Sequence, residues 1–205
     1  MKVVLRFKKR GMKRFLSTLE SIKLVERSLR RADLPLVFTE GFHPKPKMSL
    51  LDAMPVGVVN LAFYVEVHLK DFSGKHLKDL ESTLPEDFPL SGAWICEESI
   101  NKLVAFYRFK LITPYFIDFQ NKRVEKKGKE IQFRESVVDF EILKAKDYYI
   151  FRYTQKRENL LNPLFLVEKD SFFVAICEEA LTGEGEELSS FLERRGTRVK
   201  EGSPG

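Results

Sequence analysis

Residues 60–69 read Asn60-Leu61-Ala62-Phe63-Tyr64-Val65-Glu66-Val67-His68-Leu69, a long run in which large apolar side chains recur at every second position. Phe63, Val65 and Val67 would lie on one face, and the residues between them on the other. Because successive side chains of a strand point to opposite faces, this alternation predicts a long β-strand.

Shorter patterns on both sides of this strand complete a familiar order of elements. Hydrophobic spacing and turn residues predict a strand at 2–7, a helix at about 12–32, a short strand at 36–39, a helix capped by Ser73 and ending at 84, and a strand at 90–97. The order β-α-β-β-α-β is that of the split βαβ, or ferredoxin-like, unit, in which two helices cover one face of a four-stranded antiparallel sheet.

The second half follows a weaker version of the same order. Strands are predicted at 103–112, 137–143, 148–153 and 172–178, with a hairpin or bulged strand at 124–133 around Lys127-Gly128 and a short helix starting at Asn162-Pro163. We therefore predict an α+β protein of tandem ferredoxin-like units, with antiparallel sheets, helices on one face and a degenerate second unit. The predicted domains are 1–100 and 101–182, and we expect the polar tail 183–205 to be partly disordered beyond a short helix near 188–194.

The helix at 12–32 separates an apolar stripe from a cationic one. At 100° per residue, the predicted core-facing stripe contains Phe15, Leu19, Ile22 and Leu29. A second arc of about 100° carries Lys23, Arg27, Arg30 and Arg31. This arc is either an ordinary solvated face or a surface that meets an anionic partner.

A proline-rich loop follows, with the sequence Gly41-Phe42-His43-Pro44-Lys45-Pro46-Lys47. Its two prolines fix φ and remove two N–H donors, so the loop is predicted to be stiff and extended, and Gly41 suits a sharp entry into it. Residues 1–50 hold thirteen Lys and Arg against four Asp and Glu, a net charge of +9, whereas the whole chain carries +5. The basic first fifty residues and the mildly acidic remainder favour a partner that carries phosphates, either a nucleic acid or a membrane surface.

We therefore predict a nucleic-acid interface in the first third of the chain. Phosphate contacts of this kind position a nucleic acid without reading its sequence, and an aromatic ring can stack on an unpaired base. His43 is in addition the candidate for an acid–base residue. The predicted contacts are Lys9, Arg10, Lys13, Arg14, Arg27, Arg30, Arg31, Phe42, His43, Lys45 and Lys47.

Other classes of function find no support in the motifs. The chain has no Walker A loop, nucleophile elbow or Rossmann fingerprint, and its three His and two distant Cys match no zinc spacing, so we expect no metal and no cofactor. Cys96 and Cys177 are predicted to be buried thiols. No apolar run could span a bilayer and no signal peptide is evident, which predicts a cytoplasmic protein without a membrane partner. Abundant Lys and Glu with three Gln suit a heat-adapted host.

Four segments resemble the radical SAM-linked protein family, a domain of unknown function that occurs alone or joined to a radical SAM enzyme. The segments are Arg14-Phe15-Leu16-Ser17, Glu26-Arg27-Ser28-Leu29-Arg30-Arg31-Ala32-Asp33-Leu34-Pro35, the proline loop and Pro55-Val56-Gly57. The match is close over about 2–70 and looser to about 180, where residues 127–134 look like a second family block. This chain departs from the family at Thr18 and Lys45, where the family usually has His, and at His43, where it usually has Asn.

The resemblance implies a link to radical SAM proteins and to RNA, but it implies no assured activity. The chain itself lacks the three cysteines of a radical SAM cluster. Our leading hypothesis is an RNA-binding accessory module that presents tRNA or rRNA to a radical SAM modification enzyme or acts near RNA maturation. One alternative is an RNA-cleaving or RNA-modifying enzyme that uses His43. A second is a protein–protein adaptor for a radical SAM partner.

Overall fold

Nine strands pair into one sheet in the computed structural model, which describes residues 1–126, 128–168, 171–200 and 202. Among these pairings, only the one between β3 and β10 is parallel. The first half contains β1 (Lys2–Lys9), a 3₁₀ helix (Gly11–Phe15), α1 (Thr18–Arg31), β2 (Met48–Leu50), β3 (Val59–His68), α2 (Gly74–Thr83) and β4 (Leu90–Ile95). The α+β prediction is confirmed at this level, as a mixed protein with a large, mostly antiparallel sheet.

The second half is richer in strands than in helices. It contains α3 (Ile100–Leu103), β5 (Val104–Thr113), β6 (Arg123–Lys126), β7 (Lys129–Gln132), α4 (Phe133–Ser136), β8 (Val137–Lys144), β9 (Tyr149–Lys156), 3₁₀ helices at Arg157–Asn159 and Pro163–Phe165, β10 (Val174–Thr182), α5 (Leu188–Arg195) and β11 (Thr197–Arg198). Strands β6 and β7 pair as the expected hairpin. Lys127, which the sequence places at its turn, lies outside the described residues.

The two halves arrange their strands in the same spatial order. In the first half the order is β4-β1-β3-β2, and in the second it is β10-β5-β9-β8, with every neighbouring pair antiparallel. Where the first half has α1 and α2, the second has the β6–β7 hairpin with α4, and the two 3₁₀ helices.

A short parallel seam joins the halves. Residues Ile176 and Cys177 of β10 pair with Val59 and Asn60 of β3, so the two strand sets form one sheet. A buried ion pair of 2.9 Å between Arg6 and Glu179 crosses the same region. The Glu179 carboxylate also accepts a hydrogen bond of 2.7 Å from the Tyr64 hydroxyl. Burial raises the pKa of Tyr64, and the negative charge of Glu179 raises it further.

Strand β3 has a hydrophobic cluster on each face. Phe63, Val65 and Val67 pack with α1 and α2, as the alternation indicates. Tyr64, on the face predicted to be more polar, is also fully buried, in a hydrophobic cluster that includes residues of β5, β10 and α5. The strand alternates between two cores rather than between a core and water.

Two local predictions in the first half are wrong. The expected strand at 36–39 is reduced to isolated bridges, Leu36 with Leu69 and Phe38 with Pro46, because Pro46 has no N–H for a regular ladder. The expected helix at 12–32 is divided at Ser17. This residue caps α1 with a capping box, in which its hydroxyl accepts from the Glu20 N–H and its own N–H donates to the Glu20 carboxylate.

This division also changes the apolar stripe of the helix. Phe15 and Leu19, expected in the core, are 49% and 62% exposed, because Phe15 belongs to the 3₁₀ helix and Leu19 lies in the first turn of α1. The buried positions of α1 are Ser21, Val25, Ser28 and Leu29.

The region expected to be a polar tail contains defined structure. Helix α5 buries Leu188 and Leu192 completely, and β11 pairs with β4 at the edge of the first half. The sequence predicts a helix near 188–194, but it does not predict that this helix packs into the core. The expectation of disorder at residues 201 and 203–205 falls outside the described residues.

Candidate functional site

Three cationic side chains lie one above another on the exposed side of α1. Lys23, Arg27 and Arg31 are spaced by four residues, so they follow one another at roughly one per helical turn. All three are exposed, while Val25 and Leu29 on the opposite side of the helix are buried. We call Lys23, Arg27 and Arg31 the cationic ladder.

The ladder borders a groove between α1 and the end of α2, with a cavity volume of about 650 Å³. Leu24, Leu84 and Pro85 contribute apolar surface to it. Helix α2 ends there because Thr83 turns its hydroxyl back onto Leu80 O at 2.8 Å and Pro85 cannot continue the helix. The same hydroxyl lies 3.2 Å from Ser28 O and so ties α2 to α1. The groove is lined by Lys13, Leu16, Glu20, Lys23, Leu24, Arg27, Ser28, Arg31, Thr83, Leu84 and Pro85.

Among the described residues, no carboxylate forms an ion pair with Arg27 or Arg31. The acidic residue of the groove is Glu20, whose carboxylate is occupied by the Ser17 N–H at 2.7 Å. Hydrogen bonds from Ser17 lower the pKa of Glu20, and the charges of Lys23 and Lys9 act in the same direction.

Arg30 lies beside the ladder and is bound differently. Two nitrogens of its guanidinium donate to Glu26 Oε1, each at 3.0 Å. The guanidinium also lies over the ring of Phe38, 5.3 Å from the ring centre. Because Phe38 stands at the start of the proline loop, this contact joins the loop to α1.

The proline loop folds back on itself instead of running extended. Its base closes with backbone hydrogen bonds from Lys47 N to Val37 O (2.7 Å) and from Thr39 N to Lys45 O (2.8 Å). Gly41, with φ of +121°, takes a conformation that other residues rarely adopt. The loop is thus a narrow projection whose tip is residues 40–44, held by its base.

The tip of the loop carries exposed side chains. The ring of Phe42 is fully exposed, and His43 and Lys45 are exposed beside it. In the described part of the chain, the His43 ring has no hydrogen-bonding or ionic partner. Lys47, at the base, is also exposed, and its charge adds to burial in lowering the pKa of the neighbouring His68.

Lys9 does not belong to this surface, which corrects the prediction for that residue. Its side chain is only 3% exposed, and its ammonium group donates to Leu16 O at 2.6 Å. Burial lowers the pKa of Lys9, and the attraction of Glu20 opposes this shift. This hydrogen bond ties the end of β1 to Leu16, the residue that follows the 3₁₀ helix.

The two arginines near the 3₁₀ helix lie beyond the groove lining. Arg10 is exposed, whereas Arg14 is half-buried, with its guanidinium 4.7 Å from the centre of the Phe15 ring. The predicted residues therefore form two groups: Lys13, Arg27 and Arg31 at the groove, and Phe42, His43, Lys45 and Lys47 on the loop.

The opposite wall of the groove was not predicted. Thr83 is the last residue of α2, Leu84 and Pro85 follow it, and only tertiary packing places them beside α1. Lys23 belongs to the predicted cationic arc, but the predicted nucleic-acid contacts do not include it. Its spacing of four residues from Arg27 was the signal that could have included it.

Within the described residues, no group of three or more His, Cys, Asp and Glu side chains is arranged to hold a metal ion. No helix in these parts of the chain has the length and apolar character needed to cross a bilayer.

A family profile described as an uncharacterized protein conserved in bacteria (DUF2344) matches residues 2–163. The chain belongs to this family. The match covers α1, the proline loop and both walls of the groove. No curated protein matches the chain. The family description names no activity, no RNA and no radical SAM enzyme.

Proposed function

We propose that this protein is an RNA-binding module that holds RNA in the groove between α1 and α2. In this proposal it presents tRNA or rRNA to a modification enzyme of the radical SAM class, or acts near RNA maturation in the cytoplasm. The observation that carries the proposal is the cationic ladder, which borders a groove and in which Arg27 and Arg31 have no carboxylate partner among the described residues. Phosphates are the natural counter-charges for such a row, because Arg and Lys side chains supply most protein contacts to a nucleic-acid backbone.

The proline loop supports the same function. A fully exposed Phe ring on a narrow loop costs hydrophobic free energy unless something covers it. An unpaired base would cover it by stacking, and Lys45 and Lys47 would meet the adjoining phosphates.

His43 favours binding over catalysis. A general base is usually held by a second side chain that orients its ring, and His43 has no such partner among the described residues. The similar strand orders of the two halves support the interpretation of tandem split βαβ units, with the second unit modified by the hairpin. That interpretation concerns the scaffold and does not determine the ligand.

The test is equilibrium binding of fluorescent RNA to the purified protein at increasing salt. With four to seven phosphates neutralised, log K against log[salt] should have a slope of roughly −3 to −6. If no binding is seen at about 50 mM salt, or if the affinity does not change with salt concentration, RNA is not the ligand and the adaptor hypothesis remains.

A further inference from the structure

The groove also indicates which form of RNA it takes. We propose that it binds a single unpaired strand that runs along α1, with consecutive phosphates on Lys23, Arg27 and Arg31 and with bases against the apolar wall. This inference rests on the proposed function, since it specifies the ligand of the same site.

The spacing of the ladder suits one strand. Four residues of helix rise by about 6 Å, so Lys23, Arg27 and Arg31 offer a positive charge at each turn, close to the interval between neighbouring phosphates of a single strand. The ladder therefore matches three consecutive phosphates without requiring the second strand of a duplex.

The opposite wall suits exposed bases. Leu84 and Pro85 give this wall apolar surface, and Leu24 on α1 adds apolar surface beside the ladder. In a duplex the bases are stacked inside, and a protein meets mainly phosphates, sugars and groove edges. In a single strand the bases are free to leave the stack, so they can pack against apolar surface that lies next to a row of cations.

The volume of the groove also favours a single strand over a duplex. Its volume of about 650 Å³ lies within the range of pockets that hold small ligands. It can accept a few nucleotides of one strand, whereas a duplex could only lie across its mouth and touch the outermost cations.

The ladder itself is unfavourable without such a ligand. Like charges four residues apart on a helix repel each other, and this occurs twice, between Lys23 and Arg27 and between Arg27 and Arg31. Arg30, by comparison, is paired with Glu26 at the same spacing. A strand of phosphates would relieve both repulsions at once.

The experiment compares oligouridylates of two to twelve nucleotides with a blunt twelve-base-pair RNA duplex, using fluorescence anisotropy on the whole protein at low salt. Affinity should rise steeply until the ladder is filled, at about four nucleotides, and more slowly beyond that length. The single strand should bind at least about tenfold more tightly than the duplex.

Two variants test the cationic wall and the apolar wall of the groove separately. Arg27→Ala should reduce the magnitude of the salt slope for the single strand by about 0.7. Leu84→Thr should weaken single-strand binding and leave that slope unchanged, with circular dichroism melting used to verify that the variant is folded. Arg195→Ala, on the exposed side of α5, is the matched control and should change neither quantity.

The outcomes distinguish this inference from the proposed function. If the duplex binds as tightly as the single strand, or if affinity does not depend on length, RNA binding stands and the single-strand inference is wrong. If oligodeoxynucleotides bind as well as oligouridylates, the groove holds single strands without selecting RNA. If no nucleic acid binds, the proposed function itself fails.

Discussion

The guanidinium of Arg30 lies 5.3 Å from the centre of the Phe38 ring and so connects helix α1 to the base of the proline loop. The same guanidinium is held by Glu26 at 3.0 Å. The charge of Arg30 is therefore already engaged, and its contact with Phe38 joins the loop to the helix.

Replacing Arg30 tests this role. Arg30→Ala should lower the free energy of unfolding by about 0.5–1 kcal/mol, because an exposed ion pair and a cation–π contact are both lost. RNA affinity should fall less than it does in Arg27→Ala. Denaturant unfolding and anisotropy on both variants measure the two effects, and a larger loss of affinity in Arg30→Ala would place Arg30 among the direct contacts.

Arg27→Glu should separate stability from binding. The substitution puts a carboxylate four residues from both Lys23 and Arg31, which removes two repulsions and should stabilise the protein by about 0.5 kcal/mol. RNA affinity should nevertheless fall by more than about tenfold, because a negative charge then stands in the middle of the ladder. Chemical unfolding combined with RNA binding measures both, and a destabilised variant would show that Arg27 has a structural role.

The triple variant Arg27→Ala/Arg30→Ala/Arg31→Ala should reduce the magnitude of the salt slope by about 1.4, since the two phosphate contacts of Arg27 and Arg31 are lost and each accounts for about 0.7. Its matched control is Lys75→Ala/Lys78→Ala/Arg195→Ala, which removes three exposed cations outside the groove. Equal effects of the two triple variants would mean that net charge, and not the groove, attracts the RNA.

The loop residues distinguish binding from catalysis. Phe42→Ala should weaken binding by about 1–3 kcal/mol if the ring stacks on a base, and its stability should not change because the ring is fully exposed. His43→Ala should behave like Lys45→Ala, lowering affinity severalfold. If the wild-type protein converts an RNA and His43→Ala binds that RNA normally without converting it, the enzyme alternative replaces the binding module.

The start of α1 should weaken in acid. The pKa of Glu20 is lowered by hydrogen bonds from Ser17, so the stability from this interaction is present above the unfolded pKa of about 4.5 and is lost as pH falls through the lower folded value. Ser17→Ala should cost about 1 kcal/mol near neutral pH. Thermal melting of both proteins from pH 7 to pH 3 should show the difference shrinking below pH 4.5. A difference that stays constant would mean that the Ser17 hydroxyl does not stabilise the charged Glu20 carboxylate.

The sequence predicted best those features that depend on local periodicity. The alternation around Phe63 and the turn residues located β1, β3, β4 and most strands of the second half, because strand period and turn chemistry act over a few residues. The exposed cationic arc of α1 was predicted for the same reason.

The remaining features depend on contacts between distant segments. The burial of Tyr64 requires the second half, and that of Lys9 requires the carbonyl of Leu16. The capping box at Ser17 was visible as Ser-x-x-Glu, but the longer apolar pattern from Phe15 onward obscured it. The groove could not be predicted, since one wall comes from residues near Thr83, more than fifty positions from the ladder.

Strand β11 has a consequence for how the protein is made. It pairs with β4, and Val199 beyond it donates to Ala93 O at 3.0 Å and enters the core under α1 and α2. On the ribosome, β4 is synthesised about a hundred residues before this partner. During that interval the residues that line the groove, up to Pro85, have already emerged from the ribosome. The edge of β4 that β11 will occupy is still unpaired, so it is able to pair with a neighbouring nascent chain. The residues of the groove are thus synthesised early in translation, whereas the strand that covers the edge of β4 is synthesised last.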